Sequence, residues 1–105
     1  MNNEVVIAVR RDLEECADEK TRESGQRFFK EEVLLHGVKA SVVRDIAKKR
    51  FREIKSLEKE EIFSICEELL KSDYFEEAAI AFEWAYSQRK KYEPADFSLF
   101  ERWIS

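Results

Sequence analysis

Gly25, Gly37 and Pro94 are the only glycine and proline residues among 105. That scarcity of chain breakers constrains the fold more than any other feature. A strand-rich fold would want a turn signal every 8–12 residues or so. Long stretches between three breakers favour helices joined by short connections instead. Apolar residues recur at three and four positions through most of those stretches, the period of a helix with one face on a core. The length fits a single domain over residues 1–105.

The periodicity predicts six helices. The first covers residues 2–17, with Asn2 or Asn3 as its cap and Val5, Val6, Ala8, Val9, Leu13 and Cys16 as its apolar side. Residues 17–24 carry no apolar period and read as a loop. A second helix over about 25–36 holds Phe28, Phe29 and Val33, with Gly37 left-handed just past its end. The third runs from about Ala40 to Ile54. Ser56 caps a fourth over 57–71, and Asp73 with Glu76 has the spacing of a capping box for a fifth, running to about Lys91.

The fifth helix is apolar on two sides, with Phe75, Phe82 and Tyr86 on one and Ile80 and Trp84 on the other, which predicts an inner layer. Pro94 opens a sixth through Phe97, Phe100, Trp103 and Ile104. The fold class is therefore all-α, a helical bundle or an α-solenoid of antiparallel helix pairs. No internal self-similarity accompanies the solenoid. The apolar pattern still runs at Ser105, so Trp84, Trp103 and Ile104 are expected to lie uncapped. Either a longer array has been truncated there or the module docks onto a partner through its C-terminal helices.

The third helix separates its residue types cleanly. At 100° per residue from Arg44, Lys55, Lys48, Arg52 and Lys49 fall within roughly 0–140°. Ile46, Val43, Ile54, Ala47 and Phe51 fall within roughly 200–340°. Arg50 alone sits on the apolar side, where its stem can follow the core edge with the charge in water. The charge count isolates this region. Residues 37–55 hold seven Lys/Arg against two Asp/Glu, net +5, whereas residues 1–36 are at −3 and residues 56–105 at −6. An acidic chain with one basic helix concentrates positive potential on one face.

Side chains at 44, 48, 52 and 55 stand about one turn apart, roughly 5–6 Å, comparable to phosphate spacing along a strand. Helix-start N–H groups after the Gly37 turn are a second phosphate-binding feature. Such contacts hold a nucleic-acid backbone without reading its sequence. Phe28 or Phe29 could stack on a base or sugar beside this helix. The alternative is an ordinary solvated charged face.

Other chemistry is excluded more readily. No apolar run approaches the ~18 residues of a membrane span, and the N-terminus has no signal-peptide pattern. A cytoplasmic protein is expected. Cys16 and Cys66 are expected to be buried, reduced thiols. Glu32 and the single histidine, His36, read as a surface pair rather than a metal site. Glu31-Glu32, Glu67-Glu68 and Glu76-Glu77 read as solvated faces. Nothing composes a catalytic acid/base pair, and neither a catalytic residue nor a metal or cofactor site is expected.

The run His36-Gly37-Val38-Lys39-Ala40-Ser41-Val42-Val43-Arg44-Asp45-Ile46-Ala47-Lys48 resembles the early signature of the AlkD-like DNA alkylation repair family. Leu69-Leu70-Lys71-Ser72-Asp73-Tyr74-Phe75-Glu76-Glu77-Ala78, then Glu83-Trp84-Ala85 and Phe100-Glu101-Arg102-Trp103, are similar to its later blocks, in order. The resemblance covers the chain from about Gly25. It implies HEAT-like helix pairs with a basic concave surface for duplex DNA. It also implies kinship with glycosylases that remove alkylated purines, such as 3-methyladenine and 7-methylguanine, without metal or cofactor.

The family's catalytic Asp and tryptophans belong to helices after the matched blocks, so Trp103 does not inherit their role. What carries over is a DNA-facing part: Phe28 as a helix aromatic, Lys39 in the turn and Arg44 on the next helix. Ala40-Ser41 replaces the family's Thr-Pro. The expected DNA contacts are thus Phe28, Lys39, Arg44, Lys48, Arg52 and Lys55. The expected function is backbone binding by the N-terminal part of an alkylpurine glycosylase-like protein, inactive by itself. A helical protein-interaction module is the alternative.

Overall fold

The computed structural model describes residues 3–104, so the cap expected from Asn2 lies outside the described residues, as does Ser105. Among them six α-helices follow in order: α1 Asn3–Glu15, α2 Glu19–Gln26, α3 Ala40–Phe51, α4 Lys59–Leu70, α5 Phe75–Ser87 and α6 Pro94–Ile104. A 3-10 turn, Arg89–Lys91, precedes α6. Among the described residues the one strand-like feature is a parallel bridge between Leu34 and Tyr74. The all-α expectation holds, and no described helix is long and apolar enough to cross a membrane.

The second helix is displaced from its expected place. Residues 19–24, read as loop, are helical together with Gly25 and Gln26, whereas residues 29–39 are irregular. Asp18 caps α2 by accepting from Thr21 N at 3.0 Å, although α2 buries none of its residues. A helix without an apolar face leaves no period to read. The segment after it sends its backbone bonds elsewhere. Val33 N donates to Gln26 Oε1, and Leu34 O accepts from Phe75 N at 2.9 Å.

Most core residues come from four helices, among them Val5, Val9 and Leu13 of α1, Val43, Ile46 and Ala47 of α3, Ile62, Cys66 and Leu69 of α4, and Ile80, Ala81 and Trp84 of α5. α4 and α5 form a hairpin over a short turn in which Asp73 takes φ 64°, a conformation Asp tolerates. No capping box forms there: Tyr74 is the N-cap and makes no side-chain cap bond. Glu58, not Ser56, is the N-cap of α4. Trp84 is buried rather than uncapped, and its Nε1 donates to Ala47 O at 3.0 Å, pinning α5 to α3.

α5 is covered on one side only. Phe75, Phe82 and Tyr86 are exposed, so the inner-layer expectation fails among the described residues. On α6, Leu99, Phe100 and Trp103 pack against the core, while Phe97 and Ile104 are exposed. Cys66 is buried, and burial pushes its thiol up to about 12. Cys16 is exposed instead of buried, because α1 ends at Glu15 before its apolar stripe reaches that position.

Candidate nucleic-acid interface

α3 forms because Val43, Ile46 and Ala47 bury one stripe against α1 and α5. It ends at Phe51, and its C-cap Arg52 is followed by turns that carry Ile54 into the core. Arg44, Lys48 and Arg52 therefore keep their one-turn spacing, whereas Lys55 lies beyond the helix on those turns. All four are exposed, as are Lys39 and Lys49. Among the described residues none of these six forms an ion pair.

Arg50 does not keep its charge in water. Its Nε and Nη2 reach Asp12 at 2.6 and 2.9 Å and its Nη1 reaches Glu53 at 2.8 Å. The bidentate guanidinium holds the Asp12 carboxyl below the usual carboxylate range. The same helix thus carries one cation committed to α1 and a row left open.

Beside α3 a groove of about 520 Å³ opens between α2, the irregular segment and the start of α5. Leu35, Val38, Val43, Phe75 and Ile80 make much of its lining apolar, and Phe28, Lys39 and Arg44 line it as well. Half of the expected contact set is thereby brought together. Lys48, Arg52 and Lys55 are not among the lining residues. Phe28 is 87% exposed, while Phe29 packs edge-on against Phe75 at 5.3 Å. Of the two phenylalanines only Phe29 is sheltered, and Phe28 stands on a turn and not on a helix.

The turn that carries Lys39 is built from residues whose part the sequence did not reveal. Glu76 and Glu77 are buried, the reverse of the solvated face expected of them. Glu76 Oε1 accepts from His36 N at 2.9 Å, and its Oε2 accepts from Gly37 N at 3.0 Å and Val38 N at 3.3 Å. Glu77 accepts from Arg10 Nε and from His36 Nε2, both at 2.8 Å. His36, no surface partner of Glu32, also stacks on Tyr74 with ring centroids 3.9 Å apart.

Gly37 has φ +90°, and a Cβ there would stand 2.7 Å from Asp18 O and from Arg22 Cβ. Glycine is therefore required at this point. The one sequence signal for the carboxylate pair was its place in the first turn of α5, where negative charge is favoured. Among the described residues, no group of three or more His, Cys, Asp or Glu could hold a metal.

An all-helical chain with an open row of cations on α3 is the class defined by fold and site. The family model described as DNA alkylation repair enzyme matches residues 9–105. The chain belongs to that family, which gives it a role in DNA alkylation repair with DNA as the substrate class. No curated protein and no solved structure matches the chain.

Proposed function

We propose that residues 1–105 form one HEAT-like helical domain that binds the backbone of duplex DNA in an alkylpurine glycosylase-like repair protein. Arg44, Lys48 and Arg52 take phosphates along α3, Lys39 and Lys55 extend the track at its two ends, and Phe28 meets sugar or base at the groove. The observation that carries this reading is the set of exposed cations without ion-pair partners among the described residues, in an otherwise acidic chain. Such cations displace counterions condensed on the DNA, and their release favours binding. The two free thiols suit a reducing cytoplasm.

Base release does not come from these residues: the catalytic Asp and tryptophans that the resemblance implies have no counterpart in the matched blocks. The test pairs two assays. Duplex affinity measured against salt should fall steeply, and methylated DNA should release no base. Unchanged affinity in an Arg44→Glu/Lys48→Glu protein sinks the first half, and base release sinks the second.

A second reading, a protein-interaction module, rests on the apolar surface left open by Phe75, Phe82, Tyr86, Phe97 and Ile104. Sedimentation separates the two. A monomer that binds DNA favours the first, and a tight dimer without DNA affinity favours the second.

A further inference from the structure

Three backbone N–H groups converging on one point, with a left-handed glycine among them, make an anion-binding concavity of the kind that often takes a phosphate. Here the N–H groups of His36, Gly37 and Val38 converge on the Glu76 carboxylate. Glu76 is 4% exposed and forms no ion pair among the described residues. A glutamate in the first turn of a helix ordinarily faces the positive end of that helix. Glu76 instead crosses to a segment about forty residues earlier in the chain. With the seat filled, these three amides are closed to a phosphate of the DNA. What the turn can offer is the side chain that follows it, Lys39, whose backbone is extended and makes no side-chain cap bond.

We propose that Glu76 is a positioning residue: it fills the turn's anion seat and so fixes Lys39 and the start of α3 toward the groove. The inference rests on the DNA-binding reading above. Glu77 acts as a second clasp one residue on, holding the His36 ring and tying the turn to Arg10 of α1. Asp18 N completes the frame by donating to Gly37 O at 2.9 Å. A phosphate-binding lysine on a loose turn loses side-chain and backbone freedom when it binds; on a fixed turn only the side chain orders.

The test is a double-mutant cycle on duplex affinity, combining Glu76→Gln with Lys39→Ala, and Glu76→Gln with Arg52→Ala as control. Glu76→Gln replaces one accepting oxygen with an NH₂ group that faces donors. The expected result is a loss of roughly threefold to tenfold in affinity and a salt slope shallower by about one. Both effects should vanish in the Lys39→Ala background and persist with Arg52→Ala. Amide exchange at Gly37 and Val38 should quicken in the same variant.

A Glu76→Gln protein that is less stable yet keeps wild-type affinity and slope overturns the proposal, as does full multiplicativity with Lys39→Ala. Should Glu76→Gln fail to fold, Glu76→Asp, which keeps the charge but shortens the reach, carries the same cycle. Faster exchange at residues 37 and 38, with no effect of Lys39→Ala or Arg44→Glu/Lys48→Glu on binding, places the failure in the DNA reading and overturns the proposal through it.

Discussion

Arg50 and Arg52 stand two residues apart and meet opposite fates. Arg50 grips Asp12 and Glu53, and Lys59 on α4 is likewise surrounded, by Glu93 Oε1 at 2.7 Å, Lys91 O at 3.0 Å and Asp96 Oδ2 at 2.9 Å. These cations tie helices together. Hydrogen bonds to Asp96 and then Glu93 raise the Lys59 ammonium well above its ordinary range, and the same bond from Lys59 holds the Asp96 carboxyl below its own.

Arg44, Lys48 and Arg52 have no such partners among the described residues. A cation already satisfied inside the fold has little left for a ligand, whereas an exposed one without an ion pair adds little stability and remains available. The difference separates the charges that build this molecule from those that can serve it.

The largest expected effect lies on the open side. Reversing Arg44 and Lys48 to Glu should lower duplex affinity by roughly a hundredfold or more near 0.1 M salt, with the unfolding midpoint little changed. Electrophoretic mobility or anisotropy titration, run beside thermal melts, checks both halves. On the committed side Arg50→Ala should do the opposite. It strands the half-buried Asp12 and should cost about 1–3 kcal/mol in denaturant unfolding, with duplex affinity within about threefold of wild type.

Acid sharpens the contrast further. The folded-state value of Asp12 lies below its ordinary 3.8, chiefly through the Arg50 hydrogen bonds. Its contribution is therefore fully present above about pH 5 and is lost as pH falls through 3.8 toward the folded value. Asp12→Asn should be less stable than wild type at about pH 7, and the gap should narrow as pH falls through 3.8 toward the folded value. A gap that stays constant with pH would remove the ion pair from the account. The smallest effects belong to Arg44→Ala, Lys48→Ala and Arg52→Ala taken singly. Each should shift stability by no more than about 0.5 kcal/mol while making the salt slope shallower by about one.

Periodicity located α1, α3, α4 and α5 because each buries an apolar stripe, and α6 because Leu99, Phe100 and Trp103 pack against the core; the start of α6 at Pro94 was legible to the residue. It missed α2, whose eight residues bury nothing and whose one announcement is the Asp18 cap. It also turned Phe28, Phe29 and Val33 into a helix, although Gln26 holds the Phe29 and Val33 N–H groups and the start of α5 holds the neighbouring Leu34 carbonyl. Three apolar residues cannot distinguish a short helix from a strapped segment.

The open cations were legible because helical spacing and segment charge depend on sequence alone. Glu76 and Glu77 were not, since a carboxylate's burial depends on donors that reach it from residues 10 and 36–38. Arg50 was half legible. The wheel put it on the apolar side, but only the packing of α1 on α3 supplied Asp12 as its partner.

Whether the open face of α3 holds the DNA backbone is decided by the salt dependence of duplex binding. Affinity is measured from about 50 to 200 mM salt for the natural sequence and for Arg44→Glu/Lys48→Glu. With three to five phosphates contacted, the log–log slope should be about −2.7 to −4.5 and should become shallower by about two units in the variant. A slope near zero in the natural sequence, or the same slope in both proteins, would contradict it.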